Sequence, residues 1–122
     1  MIFDTHSHYD DEAFDEDRDI LLSSFIHNNI GNVVAASAEW KSIDKIIKMV
    51  DKYDFMHLTL GIHPNNALEL TGEHREEFED LVRTKKPVAI GEIGLDLHWD
   101  QLTEQLRMFG HRKIWCTSLH VL

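Results

Sequence analysis

Apolar positions in this chain alternate between short continuous runs and helically spaced stripes, and that alternation predicts the fold. Ile2 and Phe3 open a short run that leads directly into Asp4-Thr5-His6-Ser7-His8. An acidic stretch over residues 9–17 then feeds a helix, its carboxylates lying where the helix dipole favours negative charge. In that helix Ile20, Leu21, Leu22, Phe25 and Ile26 gather on one broad face, and Asn28-Asn29 with Gly31 closes it. Asn32-Val33-Val34-Ala35-Ala36 follows at once. Its lack of strict alternation predicts a strand covered on both faces.

The second helix has the cleanest period. Ser42 stands at its cap, and Ile43, Ile46, Ile47 and Val50 follow at i, i+3, i+4 and i+7, with Asp44 and Lys48 paired on the outer face. Residues 55–62 read as the next strand, and Pro64 ends it, which leaves His63 at a strand-to-loop exit. A third helix runs from about residue 73 to 83, with Phe78, Leu81 and Val82 as its buried stripe and Arg83, Lys85 and Lys86 at the end that favours cations. Pro87 stops it, and residues 88–96 form a fourth strand that carries Glu92 in its second half. Four strands alternating with three helices predict an α/β fold of right-handed βαβ units around a parallel sheet.

Length bounds this picture: 122 residues suit one domain, yet they are about half of the roughly 250 that an eight-stranded α/β barrel needs. With 22 acidic against 12 basic residues, the net charge of −10 argues against non-specific nucleic-acid binding through a broad basic surface. A nucleic-acid enzyme stays open, because bound divalent cations can supply the positive charge at a phosphate. Cys116 is the single cysteine, so one chain can build neither an intramolecular disulfide nor a thiolate zinc site. No basic segment followed by an apolar one opens the chain, and no apolar run approaches the ~20 residues of a membrane span. The expectation is a soluble cytoplasmic protein with no membrane partner.

Candidate chemistry starts at the first strand. Period-two alternation sets the His6 and His8 imidazoles side by side, with Asp4 one step below. Neutral imidazole suits zinc, iron, nickel and copper, and a nearby carboxylate extends the choice to manganese and magnesium. A solvated strand end looks the same, and spacing alone does not separate the two readings. In α/β folds, however, ligands bind at the carboxyl ends of the strands, and the four predicted ends carry His6/His8, Ala36-Ser37, His63 and Glu92. Three of these four ends deliver metal ligands or catalytic groups to one rim. Glu92 lies between Gly91 and Gly94, whose size leaves room for an ion, and an uncompensated carboxylate in an apolar strand would cost on the order of several kcal/mol. His63 could equally cap its loop by hydrogen bonding.

Three motifs, Phe3-Asp4-Thr5-His6-Ser7-His8, Gly61-Ile62-His63-Pro64 and Gly91-Glu92-Ile93-Gly94-Leu95-Asp96, resemble in order and spacing the N-terminal signatures of the TatD-related deoxyribonucleases, within the metal-dependent hydrolase superfamily. The resemblance implies a TIM-type (β/α)₈ barrel, of which residues 1–109 form about half. It also implies a divalent, often two-metal site of zinc, manganese or magnesium that hydrolyses phosphodiester bonds in DNA, the metals polarising the phosphate and generating hydroxide. By the same match His6 and His8 ligate one metal, Glu92 bridges toward a second, and His63 and Asp96 line the site with catalytic roles.

The rest departs from the family. Its further ligands come from a fifth, a sixth and an eighth strand, which have no counterpart among these residues. Residues 110–122 hold Cys116, Trp115, Gly110 and no clean apolar period, which reads as out-of-frame or degenerate sequence after a truncation. A zinc cluster of His111, Cys116 and His120 is the rival reading, although one thiol and loose spacing specify little. Two functions therefore stand side by side: a metal-dependent deoxyribonuclease, inactive if truncation has cost it ligands, and a non-catalytic half-barrel that self-associates through exposed sheet edges. An amidohydrolase or lactonase on the same barrel is the alternative chemistry, since fold and ligands do not fix the scissile bond.

Overall fold

The computed structural model describes residues 1–94, in which strands and helices alternate as the apolar pattern predicts. They are β1 (Ile2–Ser7), α1 (Arg18–Ser24), β2 (Ile30–Ala36), α2 (Ile43–Lys52), β3 (Met56–Leu60), α3 (Gly72–Lys85) and β4 (Ala89–Ile90), with 3₁₀ turns at Glu12–Phe14, Trp40–Ser42 and Pro64–Glu69. The sheet has the order β1-β2-β3-β4, and every pairing is parallel. A parallel sheet without strand exchange sends all its carboxyl ends to one rim, which is the half-barrel that the sequence predicts. Leu95, Asp96, the expected boundary at residue 109 and the expected atypical tail lie outside the described residues.

The core fills the space between sheet and helices. Val33 and Ala35 of β2 and Met56, Leu58 and Leu60 of β3 point toward the helices and are buried with Leu22, Phe25, Ile43, Ile46, Ile47, Met49 and Phe78. Full burial of each large side chain contributes about 1.5–3 kcal/mol. The opposite face differs from expectation, because helices cover β2 on one side only. There Phe3 stacks on His57 with centroids 6.5 Å apart, and His57 Nε2 lies 2.8 Å from Asn32 Oδ1. Such a polar pair fits the inside of a barrel half better than a second helical layer.

Helix ends also depart from the pattern. Ile20 and Ile26 remain 75% and 69% exposed. At about 100° per residue Ile20 lies opposite Leu22, and Ile26 falls beyond the end of the helix. Asn29 rather than Gly31 closes α1, adopting φ 62° while the Ile30 N–H bonds to the Phe25 carbonyl. Gly31 instead joins β2, where an added Cβ would lie 2.4 Å from Met1 Sδ. Ser42 makes no capping bond; its hydroxyl donates to the Glu39 carbonyl at 3.1 Å within the 3₁₀ turn that leads into α2. Asp44 and Lys48 form no ion pair among the described residues, whereas Lys45 reaches Asp15 at 2.7 Å. β4 is two residues long, although the Val88 and Gly91 N–H groups extend its bonding to the Leu58 and Leu60 carbonyls. Among the described residues no helix is long and apolar enough to cross a membrane.

The acidic loop after β1 is held by one side chain. Arg18 donates to the carbonyls of Tyr9 (2.5 Å), Asp10 (3.4 Å) and Asp11 (2.7 Å) and to Asp15 Oδ1 (2.6 Å). Hydrogen bonds from Lys45 and then Arg18 lower the Asp15 carboxyl below its usual range. Removing Arg18 strips the loop of its internal donor, and charge-assisted bonds of this kind are worth about 2 kcal/mol. Arg18→Ala is therefore expected to lower unfolding stability by about that amount and to speed proteolytic cleavage within residues 10–17. Unchanged cleavage kinetics would mean that the loop is ordered by something else.

Candidate metal centre

The end of β1 does not follow simple alternation. Phe3 pairs with Asn32 and Asp4 with Val33, but Ser7 pairs with Ala35, so β1 spends one more residue than β2 over the same stretch. The irregularity puts Asp4 beside the helix-facing Val33 and takes it off the face where the sequence placed it below the histidines. Its Oδ1 accepts the His6 backbone N–H at 3.2 Å, and its Oδ2 accepts the Tyr9 hydroxyl at 3.4 Å. Burial first, and then the Asp4 charge and hydrogen bond, push the Tyr9 phenol above its ordinary pKa. Asp4 thus shapes the strand end rather than serving as a ligand.

His6 and His8 meet Glu92 at the rim. His6 Nε2 is 2.8 Å and His8 Nε2 3.5 Å from Glu92 Oε1, and the two Nε2 atoms are 3.0 Å apart. The His8 Nδ1 lies 3.1 Å from the Ala36 carbonyl, which can only accept, so Nδ1 carries the proton and Nε2 turns a lone pair inward. A carboxylate oxygen and two imidazole nitrogens then converge with no hydrogen between at least two of them. Ligands about 2.1 Å from a zinc or manganese ion stand about 3.0–3.4 Å apart at octahedral or tetrahedral angles, close to the separations found here. The donor set therefore fits a divalent cation with positions left over for water or substrate. Among the described residues this trio is the group of His, Cys, Asp and Glu side chains close enough to share an ion, with all ligand atoms within 4.8 Å.

His63 joins the same rim. Its Nδ1 accepts the Asn65 N–H at 3.2 Å, so a neutral ring carries its proton on Nε2, which lies 3.9 Å from Glu92 Oε2. His63 caps the Pro64–Glu69 turn and also faces the carboxylate. Asp96 lies outside the described residues.

Two residues that position Glu92 had no role assigned from sequence. Ser37, fully buried, donates its hydroxyl to the Gly61 carbonyl at 2.8 Å and accepts the Gly61 N–H at 2.9 Å. Its own carbonyl accepts the Glu92 N–H at 3.3 Å. Gly61 must lack a side chain, because a Cβ there would lie 2.1 Å from the Gly91 carbonyl carbon. The signal for Gly61 was its place before Ile62-His63-Pro64. Nothing distinguished Ser37 from any other serine at a strand end. A cavity of about 650 Å³ opens beside the centre, lined in part by His8, His63 and Glu92.

A parallel half-barrel whose strand ends bring two histidines and a glutamate to one point presents possible metal ligands at the face where such barrels bind their ligands. Comparison with known proteins gives the family. Residues 3–113 match the family model described as TatD related DNase. The chain is 32% identical over 107 residues to a protein of Bacillus subtilis named as the uncharacterized metal-dependent hydrolase YabD, covering 88% of this chain and 42% of that protein. It is 26% identical over 116 residues to the 3'-5' ssDNA/RNA exonuclease TatD of Cronobacter sakazakii, covering 88% of this chain and 44% of the other. The crystal structure of YjjV, a TatD homologue from Escherichia coli, superposes with a TM-score of 0.81 at 22% identity, over 98% of this chain and 47% of that one. The chain belongs to the TatD-related DNase family, and it spans less than half the length of these relatives.

Two outcomes follow from this geometry. His6→Ala with His8→Ala is expected to abolish binding of zinc or manganese, read by calorimetric titration; unchanged metal content after dialysis would overturn the ligand assignment. Ser37→Ala leaves the buried Gly61 N–H and carbonyl without their partner, so it is expected to cost about 2 kcal/mol in urea unfolding and to weaken metal binding by loosening Glu92.

Proposed function

We propose that the site is a divalent-metal centre for hydrolysis of phosphodiester bonds in DNA. The observation that carries this reading is the convergence of His6 Nε2, His8 Nε2 and Glu92 Oε1 at the sheet rim, beside an open cavity. A relative named as a 3'-5' ssDNA/RNA exonuclease supports nucleic acid as the substrate class. Zinc and manganese suit two nitrogens and one oxygen, and magnesium enters if further oxygens complete the site. A cation held there supplies charge neutralisation at the phosphate and a bound water of lowered pKa. His8 would hold it through the lone pair that its Ala36 bond fixes, His6 through Nε2, and Glu92 would divide its oxygens between the ion and His63. With its proton on Nε2, His63 would face the Glu92 carboxylate and help to orient it. Asp96 completes this reading by resemblance alone.

The expected rate is low. Among the described residues three ligands would hold one ion, whereas two-metal hydrolysis needs a second ion to stabilise the leaving or attacking oxygen, and losing about 4 kcal/mol of that stabilisation is already a thousandfold. The purified 122-residue chain is expected to cut DNA at least ~10³-fold more slowly than a full-length relative, with the residual rate dependent on metal and lost in Glu92→Gln. The assay compares single- and double-stranded DNA in manganese and in magnesium. Metal-dependent hydrolysis of an amide or a lactone, with none of DNA, would favour the alternative chemistry on this barrel.

A second reading, a non-catalytic half-barrel that self-associates, draws on β1. Ile2 and Phe3 are more than half exposed, and among the described residues nothing pairs with the outer edge of β1 or β4. Self-association measured by light scattering supports this reading, and a monomer with sharp cooperative unfolding counts against it.

A further inference from the structure

The cavity beside the metal centre has a second functional wall. His8, His63 and Glu92 line part of it; Lys41, Ser42 and Lys45, from the β2–α2 connection and the first turns of α2, line another. At about 650 Å³ it falls within the usual size of ligand pockets, about 300–1,000 Å³, so one occupant can touch both walls. Its other charged lining residues are Asp10, Asp11, Glu12 and Glu39, which repel a phosphate chain. Lys41 and Lys45 are thus the permanent cations that an anionic strand would meet there.

Both lysines can be redirected at small cost. Lys45 bonds Asp15 Oδ1 at 2.7 Å, but Arg18 holds the same oxygen at 2.6 Å, so Asp15 keeps a cation when Lys45 turns away. Lys41 pairs with Glu39 at 3.0 Å, and at 74% exposure such a pair contributes little. The backbone beneath them stays fixed. Glu69 Oε2 accepts the Trp40 N–H at 2.9 Å, and the Trp40 ring stacks on His74 at 4.4 Å. Only the two side chains need to move.

We propose that Lys41 and Lys45 form a phosphate-gripping wall that holds the substrate strand on the α2 side of the cavity, next to the phosphate presented to the metal centre. This rests on the nucleic-acid reading of that centre and adds the residues that orient the strand. Asp10, Asp11 and Glu12, which also line the cavity, make the β1–α1 loop unfavourable for a second phosphate chain.

Counterion release provides the test. Binding of a fluorescein-labelled oligothymidylate to the 122-residue chain is measured by anisotropy in manganese over a series of potassium chloride concentrations. Each phosphate contact contributes about 0.7 to the slope of log affinity against log salt for a single strand. Lys41→Gln and Lys45→Gln are each expected to reduce that slope by about 0.7, and the double variant by about 1.4. Lys48→Gln, an exposed change of equal charge outside the cavity, is expected to leave it unchanged, and Lys45→Arg to restore it. Manganese titration of the double variant is expected to match the parent, as is its thermal unfolding. A double variant with the parental slope, in a parent whose binding is lost in Glu92→Gln, overturns the lysine wall and leaves the nucleic-acid reading standing. An equal loss in Lys48→Gln also overturns it, because net charge would then explain the effect. A parent that binds manganese but no oligonucleotide overturns both.

Discussion

The centre depends on one buried hydroxyl. Ser37 closes a pair of hydrogen bonds with the backbone of Gly61 and passes its own carbonyl to the Glu92 N–H, so the ends of β2, β3 and β4 are tied at a single residue. Edges of a parallel sheet have no turn to fix one strand end against the next, since each returns through a helix. A polar cross-tie supplies that registration, and its burial makes it stringent, because an unpaired partner inside the protein costs about 1–3 kcal/mol. Beside it, the Ala38 carbonyl accepts the His63 N–H at 2.8 Å and the Asn66 side-chain amide at 3.1 Å. The segment after β2 carries no ligand of its own, yet it positions two residues that do the chemistry in the proposed reaction.

What was legible in the sequence follows from how local each signal is. Strands β1 to β3 and helices α2 and α3 came from apolar period, and the rim came from a rule about parallel sheets that needs only strand order. That His6, His8 and Glu92 share one rim was legible because each stands at a predicted strand end, and such ends gather on one side of a parallel sheet. Ser37 was not, because its role lies in bonds to residues 24 and 55 positions away. Asp4 was misplaced for a related reason: alternation presumes even pairing, and the extra residue of β1 between Asp4 and Ser7 is set by β2. Ile20 and Ile26 were misread because five apolar residues within seven cannot all face one way on so short a helix. The end of β4 was overestimated, since the apolar residues 88–90 and Ile93 on either side of Gly91-Glu92 do not record where ladder bonding gives way to the approach of Gly91 to Gly61.

Charge gives the centre its polarity. The chain is acidic overall, and the loop after β1 concentrates that charge beside the two histidines. An acidic mouth is a poor choice for a polyanionic substrate until the ion is counted: a divalent cation at His6, His8 and Glu92 would reverse the local sign at one point only. Elsewhere in the cavity Asp10, Asp11 and Glu12 keep their repulsion. On the proposed reading a phosphate would then be drawn to the ion and to the lysines and excluded between the loop carboxylates. Affinity and alignment would come from the same few cations, without a broad basic surface.

This arrangement explains why the loop after β1 is fastened as firmly as a core element. Arg18 holds three successive carbonyls, Asp11 caps the turn that follows by accepting the Ala13 N–H at 2.8 Å, and Tyr9 packs its ring on Phe25 while its hydroxyl reaches Asp4. A loose acidic loop would collapse onto the metal centre and compete with Glu92 for the ion, since Asp10 and Asp11 are only two and three residues beyond His8. Fixing their backbone holds these carboxylates along one side of the cavity. Arg18 also holds Asp15, so the wall keeps its internal tie whether or not Lys45 of α2 stays paired with the same oxygen.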